Sequence, residues 1–136
     1  MAALSAARNT PESLGHVRDI PLAAGARVYA GGMVQVAVSN YGVAAGAVAA
    51  NVTIGRAEDT FDNTGGINGA VTARVRRGIF RYANSASGDL ITRSMIGKPC
   101  YVVDDQTVAA TSNSNARPQA GIVFDVDTVG VWVQFN

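Results

Sequence analysis

AVTARVRRGIFRY, residues 70–82, is the stretch that decides the fold class. Val71, Ala73 and Val75 recur with a period of two and define an inward face, with Thr72, Arg74 and Arg76 outward. Strict alternation beyond that point buries Arg77 and exposes Phe80 and Tyr82. One extra residue at Arg77-Gly78, a β-bulge, restores the sense: Phe80 and Tyr82 return to the core while Arg76, Arg77 and Arg81 face outward. The stretch therefore predicts a bent strand with a row of arginines on one side.

The neighbouring sequence repeats the pattern of short Val-rich or aromatic runs between Gly, Asn, Asp and Ser turns. Val34, Val36 and Val38 alternate with Gln35 and Ala37, which predicts a half-buried strand. Ile54–Ala57 is a further strand, followed by the turn-rich DNTGGINGA at 62–70, where Gly65, Gly66 and Gly69 can take positive φ. KPCYVVDD, TVAATS, AGIVFDV and VGVWVQF follow as strand phrases. In the last, Val129, Val131, Val133 and Phe135 share one face, opposite Gly130, Trp132 and Gln134. The Ala-rich residues 43–50 fit a short helix, a loop or an irregular strand. Many short strands without a long amphipathic helix predict an all-β fold, a small β-barrel or sandwich spanning residues 21–136.

Residues 1–20 have no sustained period, and Pro11 and Gly15 interrupt them. A segment with so little core of its own needs another surface to become ordered, which makes 1–20 an N-terminal arm for docking on a partner or a neighbouring copy; an arm folded back on its own domain is the alternative. Leu4, Arg8, Leu14, His16, Val17 and Arg18 are its candidate contact residues, joined by Arg74, Arg76, Arg77 and Arg81 from the arginine row.

At 136 residues the chain is the size of one domain and needs neither metal nor disulfide to bury a core. Charged residues reach only 15%, below the ~25% usual for soluble domains, so the surface is short of solvating charge and suited to being covered. Ten of the eleven bases are Arg and Lys98 is the sole lysine, a bias toward the residue that tolerates interfaces. Residues 71–98 hold six bases against Asp89, while 99–136 hold Arg117 against Asp104, Asp105, Asp125 and Asp127. Such segregation suits protein contacts, including a neighbouring copy's Asp104-Asp105 or Asp125-Asp127 against the arginine row. Cys100 is alone, no apolar run reaches the ~18 residues of a membrane span, and the N-terminus lacks the pattern of a secretory leader. These features predict a protein made and used in the cytoplasm.

Residues for catalysis are sparse. His16 is the sole histidine, lies in the arm, and reads as a solvated or interface residue. One His and one Cys with no CxxC or HExxH spacing leave no zinc site, and Glu58, Asp59 and Asp62 lack calcium-loop spacing. No phosphate-binding or dinucleotide fingerprint is present, and Asn51-Val52-Thr53 matches a glycosylation sequon only formally. The expectation is a protein that is not an enzyme and takes no cofactor. With a pI near 7.9 and inward aromatics, nucleic acid is not an expected partner.

In order, IPLAAGARVYAGGMVQV, GRAEDTFDNTGG, VRRGIFRYANS, GKPCYVVDDQTVAATS and AGIVFDVDTVGVWV resemble the capsid decoration, or cement, proteins of tailed bacteriophages. The resemblance runs from Ile20 to Phe135. It implies a small β-tulip-like barrel that binds the outside of the phage head, contacts the major capsid protein, and stabilises the expanded shell as a homo-oligomer, with a trimer favoured. Gly78, Phe80, Tyr101, Asp104, Gly121 and Trp132 fall at the family's turn and core positions. The location it implies is the virion. A tail or fibre domain is the structural alternative, and a β-barrel for single-stranded nucleic acid a further one.

Overall fold

The computed structural model describes residues 2–136, and they form an all-β protein. Its strands are β1 (Val17–Pro21), β2 (Arg27–Val28), β3 (Met33–Val36), β4 (Gly42–Ala44), β5 (Val52–Ala57), β6 (Phe61–Asp62), β7 (Thr72–Arg76), β8 (Ile79–Asn84), β9 (Pro99–Val102), β10 (Thr107–Ala109), β11 (Gln119–Val126) and β12 (Val131–Gln134). Single 3-10 turns at Ser87–Asp89 and Arg93–Met95 are the only helix among the described residues.

The strands divide into two lobes. The second half of the chain closes a five-stranded barrel in the order β10-β8-β12-β11-β9, antiparallel except where β10 runs parallel to β8. Its interior is filled by Tyr82, Ile91, Cys100, Val102, Val108, Val123, Val131, Val133 and Phe135. The first half forms a sheet in the order β1-β7-β5-β3-β4. That sheet curls until Leu22 bridges Gly42 in parallel and the Ala23 amide donates to the Gly42 carbonyl at 2.9 Å. Inside the curl lie Leu22, Val34, Ile54, Ala57, Ala73 and Val75, with Val28 and Phe61 added by the short pair β2–β6.

Strand β3 joins the lobes. Successive side chains of a strand point to opposite faces, so Met33 enters the barrel core while Val34 enters the sheet core. Gln35 is wholly buried on the Met33 side. Its Nε2 donates to the Gly46 carbonyl and Thr53 Oγ1 at 3.1 and 3.2 Å, and its Oε1 accepts from the Gly46 amide and Asn51 Nδ2 at 3.0 and 3.1 Å. The half-buried strand expected here is thus covered on both faces, and Val38 lies beyond its end, 77% exposed in the turn to β4. The seam is further tied by the Met33 amide donating to the Asp105 carbonyl at 2.8 Å, and by the Tyr82 hydroxyl donating to the Gly31 carbonyl at 2.8 Å. Burial pushes the Tyr82 phenol far above its ordinary pKa, so the hydroxyl stays a donor.

The deciding stretch has the expected facing by a different device. Ala73 and Val75 are buried and Thr72, Arg74 and Arg76 exposed; Phe80 and Tyr82 point inward and Arg81 outward. No bulge produces this. At Arg77-Gly78 the chain leaves one sheet for the other: β7 pairs with β1 and β5, β8 with β12 and β10. The change of parity is a change of core. A register shift does occur in the facing pair, between Val34 and Gln35, where Gly55 takes φ +148° and a Cβ would come within 2.5 Å of the Arg76 carbonyl. Glycine is required there.

Other expectations sort by local context. Val131, Val133 and Phe135 are buried, whereas Val129 is exposed in the turn before β12. In the 62–70 loop only Gly69 has positive φ; the loop is organised by Asn63, whose Nδ2 donates to the Ala23 and Ile67 carbonyls at 2.9 and 3.0 Å. Residues 43–50 continue β4 into a loop without helix. The β structure begins at Val17, four residues before Pro21.

Candidate interaction surface

The antiparallel register of β1 on β7 sets Asp19 opposite Arg74 and Val17 opposite Arg76, and β5 on β7 sets Arg56 opposite Arg76. Directly opposed residues share a face, so these side chains form one outward surface. Arg74 Nε lies 3.3 Å from Asp19 Oδ1. Glu58, two residues after Arg56, takes both Arg56 Nη2 at 2.9 Å and Arg76 Nε at 3.0 Å on the same oxygen, Oε1. The hydrogen bond from Arg56 foremost, against some desolvation, holds the Glu58 carboxyl below its usual pKa. Arg56 also stacks on Phe80 with its guanidinium carbon 3.9 Å from the ring centroid, a cation–π contact across the seam.

Arg81 belongs to a separate cluster on the barrel. It lies opposite Trp132, 5.3 Å from the indole centroid, with Nη1 3.4 Å from Asp127 Oδ2. Asp127 closes the β11–β12 turn: Oδ1 accepts the amides of Val129 and Gly130 at 2.8 and 2.9 Å, and Oδ2 accepts Trp132 Nε1 at 2.9 Å. The Trp132 bond first, then the two amides, bring its pKa to about 2. The expected arginine row is therefore divided between two lobes. Asp127, considered above as a partner for a neighbouring copy, is already held by its own Arg81.

The edge of β1 differs from the rest of the surface. The His16 carbonyl accepts from the Arg77 amide at 3.0 Å and the Leu22 amide donates to Val71 at 2.9 Å. Even-numbered residues of β1 thus turn their main-chain groups toward β7, and the amides and carbonyls of Val17 and Asp19 point away. No strand covers that side before Ala23 meets Gly42. Pro21, the next outward position, has no N–H and ends the available ladder. Exposed Arg18 and Arg77 lie on β1 and just after β7 at positions alternate to Arg74 and Arg76, whose guanidiniums are paired with the carboxylates of Asp19 and Glu58 on the outward face.

Leu4 and Leu14 are 73% and 91% exposed, and every described side chain from residue 2 to 14 is exposed, with neither helix nor strand. Arg8 lies within this segment. His16 is exposed, and its main chain starts the ladder to β7; Val17 is half-buried and Arg18 exposed on β1. The structure thus sets these residues along the paired β1 and β7, with Val17, Arg74 and Arg76 on the outward face and His16, Arg18 and Arg77 at the alternate positions, and leaves Arg81 apart. Sequence reading missed Asp19, Arg56 and Glu58. The Arg-x-Glu spacing of the last two on a strand was the available signal, since it places both on one face. An open groove of about 590 Å³ follows the seam, lined by Tyr29, Gly31, Arg81, Tyr82 and Asp105.

Compared with protein-family models, with characterised proteins and with solved structures, the chain gave no match.

Proposed function

We propose that this chain is a structural, non-enzymatic protein that binds the outer surface of a tailed-phage head and stabilises the expanded shell by bridging major capsid protein subunits. The observation that carries the reading is the open edge of β1, which continues into an exposed N-terminal segment and is framed by arginines. The ordered set of segments resembling the decoration proteins supplies the kind of partner. A capsid strand adds along Val17–Asp19 through main-chain hydrogen bonds, and Arg18 and Arg77, which have no ion-pair partner among the described residues, favour an acidic one. Residues 2–14, with Leu4 and Leu14, then lie over the capsid surface.

Self-pairing through the same edge is disfavoured. Antiparallel pairing of two β1 edges about their centre sets Arg18 against Arg18, and the next register sets Asp19 against Asp19. Antiparallel pairing of one edge with its own copy is also a two-fold contact, so it does not build the trimer the resemblance implies. Nucleic-acid binding is the weaker reading, because Arg74, Arg76 and Arg81 are engaged by carboxylates and the rings of Phe80 and Trp132 each carry a guanidinium. Cementing needs no chemistry at the site; modest binding per contact sums over a closed lattice.

Co-sedimentation with expanded heads lacking the protein tests the reading. Binding that saturates at a fixed ratio to capsid subunits is expected, and removal of residues 2–14 leaves a folded domain that binds poorly. Absence of saturable binding by the intact chain contradicts the function, and unchanged binding by the shortened chain contradicts the role of the segment.

A further inference from the structure

The chain contains the dipeptide Asn-Ser twice, at Asn84-Ser85 and Asn113-Ser114, and Asn-Gly once, at Asn68-Gly69. All three carry the chemistry of spontaneous deamidation, in which the amide nitrogen after an asparagine attacks the side-chain carbonyl carbon. Glycine hinders that attack least, so sequence alone ranks Asn68 first and the two Asn-Ser pairs equal. Their surroundings reverse the ranking.

Asn68 is fixed on both reacting sides. Its Oδ1 accepts from the Ala24 amide at 2.7 Å, and the nucleophile, the Gly69 amide, donates to the Leu22 carbonyl at 2.8 Å. Asn84 is held more fully: its Nδ2 donates to the Ile91 carbonyl and its Oδ1 accepts from the Ile91 amide, both at 2.9 Å, while the Ser85 amide donates to Val108 at 3.0 Å. Asn113 lies in the exposed loop between β10 and β11. Among the described residues, neither its carboxamide nor the Ser114 amide has a hydrogen-bond partner. Asn113, Ser114 and Asn115 take φ of 51°, 56° and 66° in succession. Three consecutive non-glycine residues in the left-handed region form an unfavoured turn, which lowers the cost of leaving it. The Asn115 site lacks that freedom, because the following amide, Ala116, donates to the Asn113 carbonyl at 3.2 Å.

We propose that Asn113 is the site at which the folded protein deamidates. The Ser114 nitrogen forms a bond to the Asn113 side-chain carbonyl carbon and loses its proton to solvent, and the carboxamide nitrogen departs as ammonia to leave a succinimide. Water opens the ring at either carbonyl, giving aspartate or isoaspartate. One water is consumed, one ammonia is released, and the loop gains a negative charge four residues from Arg117, the partner of Asp89.

Folded protein held in mildly alkaline buffer and followed by peptide mapping gives the test. The expected result is a gain of about one dalton on the Asn113 peptide, with conversion at least about tenfold faster than at Asn84 or Asn68, whose sites must open locally before reacting. In denaturant the order should change: Asn68 becomes fastest, and Asn84 and Asn113 react at similar rates. Folded-state conversion of Asn68 or Asn84 as fast as Asn113 would overturn the proposal. So would a persistent gap between the two Asn-Ser sites in denaturant, since the folded environment would then not be its cause. Asn113→Gln should abolish the folded-state signal while leaving the protein folded; a signal of undiminished size contradicts the assignment.

Discussion

The two lobes solve the same problem differently. Both bury a Val-rich interior, but the barrel pairs every strand on both sides, while the sheet closes only at Leu22–Gly42 and leaves the first residues of β1 open. Closure removes a barrel's capacity to add a strand. Two arginine neighbourhoods show the same contrast locally. On the barrel, Asp127 gathers Arg81, Trp132 and two turn amides into one closed cluster; on the sheet, Arg77 and Arg18 stand without an ion-pair partner among the described residues, beside unpaired main-chain groups. One lobe is built to be finished and the other to be completed.

The strongest way to break the comparison is to undo the curl. Leu22 is fully buried where β1 meets β4, and Leu22→Ala should cost about 2–5 kcal/mol, with Ile91→Ala in the barrel costing a similar amount. Because Met33 and the Tyr82–Gly31 bond join the lobes, each variant should shift a single unfolding transition followed by circular dichroism. Two separated transitions would make the lobes independent.

Tyr82→Phe acts on the seam alone. It removes the donor to the Gly31 carbonyl, which faces the open groove, and should cost about 0.5–1.5 kcal/mol in chemical denaturation, with β8 and β12 otherwise intact.

A smaller effect sharpens the electrostatic contrast. Asp127 has its pKa lowered from 3.8 to about 2 in the folded state. A depressed carboxylate stabilises the fold fully above its unfolded pKa, and that contribution is lost as pH falls through the folded one. The stability of the parent and of Asp127→Asn should therefore differ above pH 3.8 and converge toward pH 2. A difference independent of pH across that window would assign the role of Asp127 to packing.

Cys100 gives a simple control for closure. Burial raises its thiol to about 11, so a thiol reagent should label it only as the barrel unfolds.

Much of this fold is legible in the chain because alternation reports burial directly. Val71 to Val75 and Val131 to Phe135 read correctly, since each has one core on one side. Reading fails at β3, where Gln35 is polar in sequence yet buried: its partners Gly46, Asn51 and Thr53 are remote, and only the fold brings all four hydrogen bonds to it. It fails again at Arg77-Gly78, where a slip of parity has two physical causes, a bulge or a change of sheet, with the same sequence signature. The arginines were visible as a set, but their division was not, because Asp19, Glu58 and Asp127 reach them through strand registers set by long-range pairing. The open edge itself had no signature beyond Pro21, whose missing N–H ends it.

Hydrogen exchange of individual amides, with and without expanded heads, tests the central claim most directly. The account predicts that the Val17 and Asp19 amides exchange rapidly in the free protein and become protected on the heads, while the protection of Val131 and Val133 is unchanged. Slow exchange of Val17 and Asp19 in the free protein, or protection on binding confined to the barrel, would contradict it.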